Sequence, residues 1–220
     1  MNRNFSDEKT DTKLTNYDEL AVLTNYYVYE PHEDSFLLAD AATKEAFGDV
    51  LDLGCGTGLA GISAALNGKT KSLTFADISE KSLELAKKNT QTNHVAIPTK
   101  FLQTDLFSNI PGKFDCILFN PPYLPTAREE KLEGKINLAF DGGSDGRKIL
   151  DSFLQEFPAH LKPKGILLLL NSSVSSSGGG DGNAETIEKL EKLGFQTQVA
   201  GRQKFFFEEL MAITARKQRN

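Results

Sequence analysis

The chain's strongest constraint is an alternation. Short apolar runs at 50–53, 72–76, 100–103, 116–119 and 166–170 are interleaved with stretches of helical periodicity at 59–66, 80–89 and 147–161. Strands that alternate with helices of this length form βαβ units, and these build a parallel sheet. Ahead of the first run, 33–47 carries Phe36, Leu37, Ala41 and Phe47 at helical spacing, with acids at its start as a helix dipole prefers. After the fifth run, residues 171–182 are rich in serine and glycine and read as a mobile surface loop. A helix over 184–193 stops at Gly194, and 195–200 and 205–215 read as closing strands with a turn at Gly201 and Arg202. So short a connection makes them antiparallel. The expected fold is α/β: seven strands, mainly parallel, ending in an antiparallel hairpin. Residues 1–16 read as a flexible N-terminal arm and 17–220 as a single domain.

Composition narrows the function classes. With 39% hydrophobic and 25% charged residues, the 220-residue chain can bury a core. The net charge of −5 argues against a general nucleic-acid binder, which would carry a basic surplus. The longest aliphatic run, Ile166 to Leu170, falls far short of the roughly 20 residues that span a bilayer. The opening residues, Met1 to Lys13, hold no apolar signal core. Cys55 and Cys116 are too few for a disulfide framework or a four-cysteine zinc site. A cytoplasmic, reduced, metal-free protein is the expectation.

The first run passes into Gly54-Cys55-Gly56-Thr57-Gly58 and then a helix, a loop that lets backbone approach a ligand closely and aims helix amides at it. Gly56, Gly58 and Gly61 also satisfy the dinucleotide pattern G-x-G-x-x-G, which is weak by itself. Asp52, two residues before the first glycine, discriminates. Its carboxylate would repel a pyrophosphate but suits a ligand bearing an ammonium group. A tight turn without a ligand is the plainer alternative, and it needs fewer glycines. Asp77 closes the second run, where it can accept from both hydroxyls of a ribose; Asp105 follows the third and could meet an adenine amino group. Singly, such acids are usually strand-end or capping residues. Three at successive strand ends mark the carboxyl edge where open α/β sheets bind ligands.

The fourth run ends in Asn120-Pro121-Pro122-Tyr123. Two prolines remove two backbone donors and hold the chain extended, leaving carbonyls free to face a pocket. The Asn120 amide offers an acceptor and a donor side by side, and Tyr123 a flat face. These groups suit a planar nitrogen group: two acceptors for its N–H bonds and a surface to stack on. A rigid strand exit would explain the prolines but not their neighbours.

With the glycine loop, this tetrapeptide resembles class I S-adenosylmethionine-dependent methyltransferases, specifically the HemK-like release-factor glutamine methyltransferases in their short archaeal and eukaryotic form. The likeness covers about 28–215. Three further stretches carry it: Tyr29-Glu30-Pro31-His32-Glu33-Asp34-Ser35-Phe36 before the first strand, Ala139-Phe140-Asp141-Gly142-Gly143-Ser144-Asp145-Gly146 before the fourth helix, and Gly201 to Glu209 leading into the last strand. The resemblance implies a Rossmann-like methyltransferase sheet and S-adenosyl-L-methionine as cofactor. It implies cofactor contacts at Ser35, Asp52, Gly54, Asp77, Asp105, Leu106 and Asn120, with Gly56 and Gly58 in the same loop. Asn120, Pro121 and Tyr123 become the catalytic residues, and Pro122 joins them in holding substrate. The longer bacterial form adds an N-terminal helical domain for which this chain leaves no room.

The implied reaction is methyl transfer to the side-chain amide nitrogen of a glutamine, in the Gly-Gly-Gln motif of a class-1 peptide chain release factor. His32, His94 and His160 read as structural or solvated, so no separate general base is expected. An exocyclic amino group of a nucleic-acid base has the same planar geometry, and a protein lysine or an inactive cofactor-binding scaffold are further alternatives. The resemblance also implies a partner, a small zinc-binding activator at the sheet edge. The candidate edge is 95–103, with Val95, Ile97, Phe101 and Leu102.

Overall fold

The computed structural model describes residues 12–125 and 142–217. Seven strands form one sheet: β3 (Gly48–Leu53), β4 (Thr70–Asp77), β5 (Thr99–Gln103), β6 (Phe114–Phe119), β7 (Leu161–Ser172), β8 (Phe195–Lys204) and β9 (Glu209–Lys217), in the order β5-β4-β3-β6-β7-β9-β8. The first five are parallel to one another, and β9 runs antiparallel to both β7 and β8. The helices are α1 (Glu33–Glu45), α2 (Leu59–Ala65), α3 (Glu80–Thr92), α4 (Lys148–His160) and α5 (Gly182–Lys192). The expected α/β architecture, a mainly parallel sheet with a terminal hairpin, is the one observed.

Both faces of the sheet are covered, which is why its central strands are apolar without alternation. On one face Leu51, Leu53, Ile117, Leu167 and Leu169 pack with Phe153 and Phe157 of α4 and Leu190 of α5. On the other, Val50, Leu118, Ile166 and Leu168 pack with Leu38 and Ala42 of α1 and Ile62 of α2. Strand order reverses at β3, whose neighbours are β4 and β6. There the register pairs Leu53 with Phe119, so the two strands release their next residues, Gly54 and Asn120, side by side at the carboxyl edge.

Three local expectations are corrected. Lys13 to Asn16, assigned to a loose arm, belong to β1 (Lys13–Tyr17), which pairs antiparallel with β2 (Leu20–Thr24). Tertiary contacts hold this hairpin. Tyr17 stacks on Phe36 at 4.6 Å, and Asn89 on α3 and Asn93 at its C-terminal cap grip the backbone of Leu23 and Ala21 as a neighbouring strand would. The rest of the expected arm, residues 1–11, lies outside the described residues, as do Ala139, Phe140 and Asp141.

The serine-glycine stretch is the second correction. Asn171, Ser172 and Ser175 are fully buried, and exposure is confined to 177–181. The buried guanidinium of Arg147 holds the stretch from within: Nη1 donates to the Ser175 carbonyl at 2.9 Å and to Thr186 Oγ1 at 3.0 Å, while Nε lies 3.1 Å from Glu185. Asp181 then caps α5 by accepting from the Asn183 and Ala184 amides. Composition signalled solvation, but a buried cation that requires acceptors outweighs it.

Third, the final hairpin does not turn at Gly201 and Arg202. A bulge between Val199 and Gly201 keeps β8 going to Lys204, and the turn falls at 205–208, closed by the Phe205 amide donating to the Glu208 carbonyl at 2.7 Å. On the opposite side β5 is an edge strand, as expected, shorter than the segment proposed for it. Val95 and Ile97 precede it, half-buried against the core, and Phe101 stacks on Phe75 at 5.2 Å.

Candidate active site

Beyond Leu53 the chain turns through Gly54, Gly56 and Gly58, all with positive φ. Gly56, at φ 53°, has no atom within 4 Å of where a Cβ would stand, so its missing side chain leaves open space above the loop. Its amide donates to Asp77 Oδ2 at 3.0 Å, and the Ser79 amide donates to Oδ1 at 2.8 Å. Asp52 lies buried beneath, accepting from the Gly61 amide at 2.9 Å. Burial pushes the Asp52 carboxyl up to about 8; the Gly61 N–H opposes this and the nearby Asp77 charge adds to it. Burial likewise raises Asp77, against the Ser79 and Gly56 amides. Two adjacent raised carboxyls in a cavity whose described lining holds no Lys or Arg favour a cation.

After β5, Leu106 has φ 44°, a left-handed conformation costing about 1–3 kcal/mol in a side-chain-bearing residue. Thr104 stabilises it: its Oγ1 donates to the Leu106 carbonyl at 3.1 Å and accepts from the Asn109 amide. Asp105, exposed, lies between them.

The tetrapeptide after β6 meets a residue that the sequence did not single out for chemistry. Asp34, buried in the first turn of α1, accepts at Oδ2 from Asn120 Nδ2 at 2.9 Å and from the Tyr123 hydroxyl at 3.4 Å. At Oδ1 it accepts from the Tyr29 hydroxyl at 3.1 Å and from the Ser35 amide and hydroxyl. A carboxylate accepts, so the Asn120 amide must turn its NH₂ toward Asp34 and its oxygen away. That oxygen, Asn120 Oδ1, is buried and has no hydrogen-bond partner among the described residues. Such an orphan acceptor costs about 1–3 kcal/mol unless something satisfies it. Burial first, and then the Asp34 charge, raise the Tyr29 and Tyr123 phenols well above their ordinary range, so both stay neutral donors.

Gly146 supports the clamp from behind. A Cβ on it would stand 2.2 Å from the Tyr123 carbonyl oxygen, so only glycine lets the turn before α4 pack there. Ser175 Oγ donates to the Gly146 carbonyl at 2.7 Å, which links the clamp to the Arg147 cluster.

One cavity of about 250 Å³ joins these strand ends. Of the residues expected at a site, Ser35, Asp52, Gly54, Gly56, Asp77, Asp105, Leu106, Asn120, Pro121, Pro122 and Tyr123 line it. Gly58 does not: it caps α2 and packs against Ala86 and Phe75. Asp34 and Tyr29 also line the cavity, and sequence reasoning missed both. Asp34 read as a helix-dipole acid, because its partner Asn120 is 86 residues away. The histidines lie elsewhere. His160 stacks on Phe107, His94 is exposed, and His32 precedes α1 as its cap. Among the described residues no group of three or more His, Cys, Asp or Glu could hold a metal ion, and no helix is long and apolar enough to cross a membrane.

A glycine-loop cavity with an oriented amide acceptor can be compared with known proteins. A protein of Methanocaldococcus jannaschii, provisionally named a protein N5-glutamine methyltransferase, is 48% identical over 188 residues, 86% of this chain and 91% of the relative. Methyltransferase HEMK2 of Homo sapiens is 32% identical over 173 residues, 75% of this chain and 78% of the relative. Among solved structures, the E. cuniculi Mtq2-Trm112 complex, described as responsible for methylation of the eRF1 translation termination factor, shares the fold. Its TM-score is 0.63 at 24% identity, over 87% of this chain and 99% of that one. Residues 30–177 match the family described as methyltransferase small domain, and with relatives this similar along most of its length, the chain belongs to that family and is a methyltransferase.

Proposed function

We propose that this methyltransferase uses S-adenosyl-L-methionine to methylate the side-chain amide nitrogen of a glutamine in a protein, the Gly-Gly-Gln motif of a class-1 release factor. The observation that carries the reading is the Asn120 amide, fixed by Asp34 with its oxygen buried and unanswered. The names that two relatives carry support the choice of glutamine over a nucleic-acid base or lysine.

The residues present fit the cofactor. Gly56 leaves open space, Asp77 offers carboxylate oxygens to a ribose, Asp52 and Asp77 favour the positive end, and Asp105 with the Leu106 backbone flanks a base. Ser35 and Gly54 complete the walls. When bound, S-adenosylmethionine supplies an electrophilic methyl on a sulfonium. The chain's task is to present a poor nucleophile correctly, because an amide nitrogen's lone pair is delocalised into its carbonyl. Asn120 Oδ1 accepts one N–H of the incoming amide and the Pro121 carbonyl the other, drawing electron density onto nitrogen and orienting it; the methylated nitrogen then gives up one of these protons to solvent. Pro122 keeps the segment extended, and the Tyr123 ring bears on the flat face. Positioning of this kind lowers a barrier by about 7–11 kcal/mol, with oriented dipoles adding to it.

A small zinc-binding activator covering the β5 edge belongs to the same proposal, supported by the two-protein composition of the E. cuniculi complex. So does a cytoplasmic location, where the release factor works. The test is mass spectrometry of the Gly-Gly-Gln tip of the source organism's own class-1 release factor, with and without this protein. One added methyl on the glutamine is expected; an unmodified tip in the presence of protein and cofactor would overturn the assignment.

A further inference from the structure

Among the described residues, the β8–β9 turn presents the most exposed large apolar side chains. Phe206 is 91% and Phe207 86% exposed, with rings edge to face at 4.5 Å, and Phe205 beside them is exposed to a lesser degree. The turn is braced rather than slack. The Phe205 amide donates to the Glu208 carbonyl at 2.7 Å, and Ser172 Oγ donates to Glu208 Oε1 at 2.5 Å. The Ser173 amide donates to the Glu209 carbonyl, and the Glu209 amide donates to Ser173 Oγ. Aromatic rings held rigidly in water stabilise nothing inside the chain; such patches mark contact surfaces.

Their position says which contact. A second cavity of about 260 Å³ lies between this turn and the start of α1, walled by Phe205, Glu208, His32, Tyr29, Asp34 and Tyr123. The last three also line the candidate active-site cavity, so the residues that orient Asn120 form a wall common to both spaces. A polypeptide that placed a side chain at Asn120 would have its flanking residues led along this groove to the phenylalanines. The tip also lies on the sheet edge opposite β5, away from the edge assigned to an activator.

Building on the proposed function, we infer that the Phe206–Phe207 turn is the docking surface for the folded acceptor protein, taking apolar side chains that flank the methylated residue. It sets affinity for the whole substrate and leaves the chemical step to the clamp.

The experiment compares wild type with the Phe206→Ser/Phe207→Ser double variant. It measures steady-state methyl transfer to the intact class-1 release factor, S-adenosylhomocysteine affinity by calorimetry, and mass by light scattering. Both side chains are exposed, so the variant keeps the packed core. KM for the release factor should rise about tenfold, as loss of an aromatic contact typically gives, with kcat and nucleoside affinity within about twofold. An unchanged KM overturns the inference while leaving the glutamine reading intact. A wild-type dimer that the variant dissolves, with KM unchanged, also overturns it and assigns the turn to a second copy of this chain. Wild type that transfers nothing to the release factor overturns the function itself, and the docking surface with it.

Discussion

Strand β3 carries one aspartate near each end. At the amino end Asp49 accepts from Lys162 Nζ at 2.6 Å and from Ser72 Oγ at 2.7 Å, and Lys162 also reaches Asp115 at 2.8 Å. The Lys162 and Ser72 hydrogen bonds hold the Asp49 carboxyl below its ordinary range. At the carboxyl end Asp52 is buried, has one backbone N–H, and is raised to about 8. Few residues separate them, yet one carboxylate is fully answered and the other is left short of a cation. A carboxylate paired with a cation holds structure together, whereas a buried one without a cation on a cavity wall favours a positively charged ligand. Asn120 Oδ1, at the same carboxyl edge, repeats the pattern in neutral form.

The contrast breaks most readily at Asn120. Asn120→Ala removes the orphan acceptor and should lower kcat by roughly 10²–10³-fold, the cost of deleting one preorganised polar group. Calorimetry should show cofactor affinity nearly unchanged; unaltered turnover would mean that the buried oxygen has no part in the chemistry. Asp34→Asn comes next. Its new NH₂ would face the Asn120 NH₂ and let that amide turn over, lowering kcat by about 10²-fold or less, as misplacement does, with the Tyr29 and Tyr123 donors still in place.

Asp52→Asn tests the charge deficit through pH. The folded chain holds a proton on Asp52 between about pH 4 and pH 8 that the unfolded chain has released, so burial of this group costs stability increasingly as pH rises through that window. The variant keeps an oxygen for the Gly61 amide and removes the titration. Its thermal midpoint should therefore exceed wild type by several degrees near pH 8, each ~1 kcal/mol being worth roughly 2–4 °C. The gain should shrink toward pH 5, as scanning fluorimetry across about pH 5 to 9 would show. Affinity for the cationic cofactor should fall at the same time, about tenfold for the loss of one charge-assisted contact. Asp49→Asn should do least. The partly exposed Asp49–Lys162 pair contributes about 1 kcal/mol or less, present above the ordinary carboxylate pKa and lost as pH falls below it. Methyl transfer should stay within about twofold of wild type, since nothing at that end of the strand lines the cavity. A large loss would erase the distinction between the two ends.

Much of this contrast was legible in the linear chain. The glycine loop, Asp52, Asp77 and the Asn120–Tyr123 segment announce themselves because each follows a strand within a few residues, and local spacing survives folding. The parallel sheet was readable for the same reason: two buried faces write continuous apolar runs. Asp34 was not, since its meaning comes from a partner 86 residues on. The serine-glycine stretch was misread because Arg147, buried at 1% exposure, recruits the Ser175 carbonyl from another element. Lys13 to Asn16 became a strand because Asn89 on α3 and Asn93 at that helix's C-terminal cap supply its partner strand with backbone-like hydrogen bonds.

The sequence by itself therefore determined the order of strands and helices and the chemical types set at the carboxyl edge, because both rest on periodicity and short spacing. Only the tertiary structure decided which way the Asn120 amide faces, which aspartate lacks a cation and where the phenylalanine turn stands. Each depends on groups far apart in the chain that meet only when helices close over the sheet, where leaving water makes every missing partner expensive.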